Sequence, residues 1–233
     1  MKKNRKRISL LITAILCFFV PLKVNASSLT PEPVCVQTVS YNYVTTIDGL
    51  LALAERQGMR NRNVLSDEQA TIEIEQLISE KRYSDGSIIK EYSKSAIHMM
   101  ERSIDNDSES KYWGKYDIAC ATTAFYQDHY GSGEQVGRVL LSTTFTFNDA
   151  GTNPVYVSRV DMHSHCVYDP ANEPSVEKYA TYNNPSAGLI YTLYSGDDRV
   201  YGGGGFQQMY CGAIVTLSDG TSSGDNAMLL ILR

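Results

Sequence analysis

Asp161, His163 and His165 stand at alternate positions in the run VDMHSHC, residues 160–166. Imidazole and carboxylate are the donors that hold zinc and related divalent ions. On a β-strand, side chains two residues apart share one face, so this spacing would aim all three donors the same way. Three donors leave a tetrahedral ion one ligand short. His98 and His129 are the other two of the chain's four histidines, and a metal centre would need one of them, or a remote carboxylate, beside the pair. The plainer reading is a strand whose wet face carries three polar side chains and no tightly bound metal. That is the expectation, with a divalent-metal-binding protein or metal-dependent hydrolase using Asp161, His163 and His165 as the alternative.

The run DMHSH resembles the D-x-H-x-H opening of the polymerase and histidinol phosphatase superfamily. That resemblance implies a barrel whose later strands add further His, Asp and Glu ligands. Only 68 residues follow His165, with no His among them, and a barrel of about 250 residues cannot be built from them. His163 and His165 also resemble the H-x-H of the cupins, which are β-sandwiches. There the downstream glutamate would fall near Asp169 or Pro170, the leading glycine is replaced by Val157, and no second His-bearing motif follows. Neither family is adopted.

The other motifs carry less. Gly220-Thr221-Ser222-Ser223-Gly224 matches G-x-S-x-G in letters, but a nucleophile elbow needs a helix after the serine and a later His. Here a strand pattern follows and no His, so the segment reads as a hairpin loop. Asp105, Asp107 and Glu109 imitate the start of a calcium loop, yet Ser110 stands where Gly is required and Tyr116 where a bidentate Glu is required. Gly202 to Gly205 lack the Lys and the helix of a phosphate loop. Cys120 paired with a His would be a nucleophile, but a disulfide or a buried thiol accounts for it more simply. These absences favour recognition over catalysis. The 16 tyrosines and one tryptophan supply the material for it, because aromatic rings dominate many binding surfaces. Tyr112, Trp113 and Tyr116 cluster beside a polar linker and are the expected binding residues.

These groups would be presented outside the cell. Lys2, Lys3, Arg5, Lys6 and Arg7 precede an apolar run of 13 residues, Ile8 to Val20, and Val24-Asn25-Ala26 ends it. Basic head, short apolar middle and small-residue end read as a bacterial secretory signal peptide over residues 1–26, too short to remain as a membrane span. Its removal leaves 15 Lys and Arg against 26 Asp and Glu, a net charge of −11. Such an acidic surface repels phosphate backbones and anionic headgroups, which disfavours nucleic-acid and membrane partners. An extracellular protein or a glycan is the expected partner, and no cofactor is expected. Cys35, Cys120, Cys166 and Cys211 remain. An even number outside the cytoplasm predicts two disulfides in one of three pairings, among which spacing does not choose; Cys166 with Cys211 is favoured because both fall in the strand-rich half, which leaves Cys35 with Cys120.

The elements that position these residues divide by texture. Cys35 to Ile47 reads as a strand, and Asp48 as the cap of a short helix through Leu50, Leu51, Leu53 and Ala54. Ser66 and Gln69 fit a capping box, and Ala70, Ile74, Leu77 and Ile78 recur at helical spacing up to Ser84-Asp85-Gly86. Ile89, Tyr92, Ala96, Ile97 and Met100 suggest a second helix. Ser103 to Lys111 reads as a linker. Beyond Trp113, seven β-rich runs separated by turn signals follow: 116–126, 136–148, 155–168, 176–182, 189–194, 207–217 and 227–232. The expected organisation is a signal peptide (1–26), an N-terminal strand with a helical segment and linker (27–110), and an antiparallel β-sandwich or barrel (111–233). If residues 27–110 made few contacts with that domain, they would read as a pro-segment.

Overall fold

In TIEIEQLISEKRY, Ile72 and Ile74 alternate with Thr71, Glu73 and Glu75, the period-two pattern of a half-buried strand. The computed structural model of the protein, which describes residues 32–57, 71–100, 118–149, 156–166, 176–196, 209–221 and 223–232, makes this segment a strand. In chain order the elements are β1 (Cys35–Ser40), α1 (Ile47–Arg56), β2 (Thr71–Tyr83), β3 (Ile88–Met100), β4 (Ile118–Gly131), β5 (Glu134–Asp149), β6 (Tyr156–Cys166), β7 (Val176–Asn183), β8 (Tyr191–Tyr194), β9 (Met209–Ser218) and β10 (Ser223–Leu232). All seven strands expected beyond Trp113 are present, as β4 to β10. They form two antiparallel sheets, one ordered β1-β2-β3-β4-β5-β8 and the other β10-β9-β6-β7. Neither sheet closes into a barrel.

The helical N-terminal portion is corrected. The segments expected as helices at 66–83 and 89–100 are β2 and β3 wherever they are described, joined by the turn that was expected to end the first helix. A β-bulge between Leu77 and Ser79 causes the first misreading. It shifts the phase of the alternation by one residue, so Ile74, Leu77 and Ile78 fall at i, i+3 and i+4. β3 misleads differently. Ala96 faces one buried cluster and Ile97 another, so the strand is covered on both sides and its alternation is lost. The capping box at Ser66 and Gln69 lies outside the described residues. The short helix is real, but Thr46 rather than Asp48 caps it, its Oγ1 accepting from the Gly49 N–H at 3.3 Å.

β3 pairs with β4 along its whole length, so the strands on either side of residues 101–117 belong to one sheet. The contacts divide the chain between Pro33 and Val34. Only two residues of the first unit are described, and the segment read as a signal peptide is not among them. Among the described residues no helix is long and apolar enough to cross a membrane.

The core lies between the two sheets. Phe145, Phe147, Ile118 and Cys120 of the large sheet pack with Val160, Met162, Val215 and Leu217 of the small one. A second cluster joins Tyr126 and Leu140 to Cys166, Cys211 and Leu230. The opposite face of the large sheet is covered by α1, where Ile47, Leu50 and Ala54 meet Ile74, Ile97 and Ala121. In the β4–β5 hairpin both turn residues have left-handed backbones, Ser132 at φ 54° and Gly133 at φ 89°. That is the turn whose twist matches its flanking strands.

No disulfide joins Cys35, Cys120, Cys166 or Cys211. The expected Cys35–Cys120 bridge is ruled out by register. Cys35 stands opposite Tyr83 at one end of β2, whereas Cys120 stands opposite His98, which faces Thr71 at the other end. Twelve residues of strand separate those levels, about 40 Å at roughly 3.3 Å per residue. Cys166 and Cys211 do share a buried cluster, but they are diagonal neighbours, opposite Met209 and Ser164 respectively. Burial pushes the Cys211 thiol up to about 12 and raises that of Cys120 as well, so both are held as neutral thiols.

Candidate functional site

Beyond a bulge between Val157 and Arg159, β6 alternates strictly. Val160, Met162, Ser164 and Cys166 are buried between the sheets, and Asp161, His163 and His165 face outward. The neighbouring strands extend this face into a grid. One row across the sheet reads Glu177, His165, Tyr210, Ile231; the next Tyr179, His163, Gly212, Leu229; the third Thr181, Asp161, Ile214, Ala227. β7 and β6 thus supply a polar and aromatic half, β9 and β10 an aliphatic half.

The two histidines are held by aromatic neighbours. The His163 ring lies on Tyr179 at a centroid distance of 4.6 Å and an interplanar angle of 7°. Tyr210 meets His165 edge-on at 4.8 Å, and its hydroxyl hydrogen-bonds His165 Nδ1. The Tyr179 hydroxyl donates to Glu177 Oε2 at 2.6 Å, and the other oxygen, Oε1, lies 3.4 Å from His165 Nε2. That last contact is not a hydrogen bond, and Nε2 of both His163 and His165 is buried with no hydrogen-bond partner. Burial lowers the pKa of His163, with Glu177 opposing and His165 adding to the shift. The Tyr179 hydrogen bond lowers that of Glu177. His163 is therefore biased to the neutral imidazole and Glu177 to the carboxylate.

Gly212 stands opposite His163 in the grid. A Cβ there would fall 2.2 Å from the Met228 carbonyl oxygen of β10. Only glycine lets β10 lie this close, and its lack of a side chain leaves the position facing His163 bare.

The sequence-read triad is only partly assembled. His163 and His165 come together, but Asp161 is engaged elsewhere: Arg159 Nε reaches its Oδ2 at 2.8 Å and Thr181 Oγ1 donates to its Oδ1 at 2.6 Å. The carboxylate that joins the histidines is Glu177, and one donor atom from each of these three residues lies within 4.8 Å of the others. Sequence reasoning missed it because the pairing of β6 with β7 decides which residue faces His165. Glu177, Tyr179 and Thr181 were nonetheless visible as the polar alternates of their own strand. Tyr112, Trp113 and Tyr116 lie outside the described residues, as do Gly202 to Gly205 and the acidic run 105–109.

His98 and His129 do not approach the pair; both belong to the large sheet, His98 contacting Thr71 Oγ1 through Nδ1 at 3.1 Å. Burial lowers both pKa values, opposed by Glu73 at His98 and by Asp128 at His129. In the unfolded chain these imidazoles titrate near the ordinary value of about 6.5. Between the folded and unfolded values the unfolded chain binds more protons, so stability rises with pH. The urea midpoint is expected to fall between about pH 7.5 and about pH 5.5, and to fall less in His98→Gln. A midpoint constant over that range would contradict this.

Comparisons with protein-family models, with curated proteins and with solved structures return no match to this chain.

Proposed function

We propose that the chain is a secreted β-sandwich module that works by recognition, and that the outer face of its small sheet binds an extracellular protein. One observation carries this reading: Leu229 and Ile214 are 56 % and 42 % exposed at diagonal positions of neighbouring strands β10 and β9, and Tyr179, 67 % exposed, stands beyond β6 on the same face. Exposed aliphatic side chains side by side on a sheet that already has a core on its other side mark an interaction surface. Aliphatic Ile214 and Leu229 offer little to a hydroxyl-rich sugar but gain by desolvation against an apolar protein surface. Around them, among the described residues of β6, β7, β9 and β10, the face carries Asp161, Glu177 and Asp225 against the single cation Arg159. The complementary partner is a protein whose apolar centre is rimmed by Lys and Arg.

The test is a binding screen of the purified chain against extracellular proteins and glycans, followed by affinity measurements on any ligand found. Leu229→Glu and Ile214→Glu are each expected to cost ~2 kcal/mol or more, roughly thirtyfold in affinity. Val136→Glu, at an exposed position on β5 of the large sheet, should leave affinity unchanged. The association rate should fall as salt rises. A ligand that is a glycan, or a protein bound equally well by the Leu229→Glu and Ile214→Glu variants, would overturn the reading.

A further inference from the structure

Two of the outward imidazoles carry buried Nε2 atoms with nothing to bond, and a carboxylate lies beside them. We propose that His163, His165 and Glu177 bind a divalent transition-metal ion of the zinc class, leaving at least one coordination position for water or an incoming ligand. This inference is independent of the protein-recognition reading, because it concerns the polar half of the face and its test needs no partner.

The donor chemistry fits. Two borderline imidazoles with one carboxylate are a set that suits zinc, copper or nickel, whereas calcium and magnesium take all-oxygen ligands. A tetrahedral zinc with bonds of about 2.1 Å needs its donors about 3.4 Å apart. The three donor atoms lie within 4.8 Å of one another. Glu177 is the exposed member, its side chain 45 % accessible, so it can swing in to close the set without disturbing the core.

The surroundings fit as well. A metal-bound imidazole characteristically hydrogen-bonds through its other ring nitrogen, which fixes the tautomer. His165 Nδ1 hydrogen-bonds the Tyr210 hydroxyl, and with Nε2 on the ion Nδ1 would carry the proton and donate. Tyr179 orients the remaining two ligands together, its ring stacked on His163 and its hydroxyl on Glu177. Gly212 keeps the space opposite His163 clear of a side chain.

The experiment is a titration of chelator-stripped protein with Zn²⁺ by calorimetry, and with Co²⁺ by visible absorption. One equivalent of Zn²⁺ should bind, and Co²⁺ should give ligand-field bands that Zn²⁺ abolishes. Glu177→Gln and His163→Gln should each weaken Zn²⁺ binding tenfold or more, and the His163→Gln/His165→Gln double variant should remove it. Asp161→Asn should bind as the parent does, which separates this ligand set from the one suggested by sequence spacing alone. The outward position of all these residues makes a folded variant expected, and far-UV circular dichroism checks it. His98→Gln, in the large sheet, should not change binding. A dissociation constant above about 1 mM for the parent protein would overturn the proposal. So would unchanged Zn²⁺ binding in the folded double variant.

Discussion

Asp128→Ala is expected to destabilise the protein by about 3–5 kcal/mol, a large share of the roughly 5–15 kcal/mol that holds a domain folded. Asp128 and Arg138 are a cross-strand pair of β4 and β5, and both are buried, at 4 % and 7 % exposure. Arg138 Nε and Nη2 donate to the two carboxylate oxygens at 2.5 and 2.9 Å, and Gln135 adds a third hydrogen bond at 3.0 Å. The guanidinium also lies over the Tyr126 ring, 4.4 Å from its centroid. Removing the carboxylate takes away the bidentate counter-charge of a buried cation, with the carboxylate of Glu75 still acting on it, and the lost pairing is the main cost. Replacing both partners, Asp128→Leu with Arg138→Met, should therefore recover most of the loss. Urea unfolding of the two single variants and the double variant measures this. A loss below about 1 kcal/mol for Asp128→Ala would show that water reaches the pair.

Phe145→Ala is expected to cost a comparable amount, about 3–5 kcal/mol. Phe145 is fully buried and sits beside Phe147, ring centroids 6.1 Å apart, where β4, β5 and β8 meet strands of the small sheet. Truncation removes transfer energy and leaves a cavity between two sheets that their hydrogen-bonded backbones keep apart. Phe145→Leu should cost less, since it keeps most of the volume. The readout is the urea midpoint, together with binding of a hydrophobic dye at low denaturant. If the alanine variant unfolds at the parent's midpoint, Phe145 is not the junction of the two sheets.

How far the sequence led depended on what each residue faces. β4 to β10 were legible because their turns are marked by residues such as Ser132-Gly133 and Asp219-Gly220 and their β-branched residues are dense. β6 declared itself most fully: from Arg159 onward, past its bulge, one face in the core and one outward gives strict alternation, which correctly placed His163 and His165 outward. β2 and β3 did not, because a bulge at Leu77 and double-sided burial at Ala96 and Ile97 both erase period two. The site was legible by half. Its histidines come from one strand, where spacing is decisive. Glu177, Tyr179 and Tyr210 are brought to them by register, which the whole buried face sets and no local pattern reveals.

The order of the small sheet, β10-β9-β6-β7, also has a consequence for assembly. β6 and β7 are successive hairpin strands, but the other neighbour of β6 is β9, and between them the chain leaves to place β8 on the edge of the large sheet. His165 and Tyr210 are 45 residues apart in sequence. Closing that loop costs more entropy than any of the hairpins, so it is the slower contact to form. On a chain emerging from its N-terminus, both imidazoles and Glu177 are made before Tyr210. Until β9 arrives, β6 is an edge strand with an open row of backbone donors and acceptors, so this interval is when the nascent protein is most exposed to strand-to-strand aggregation.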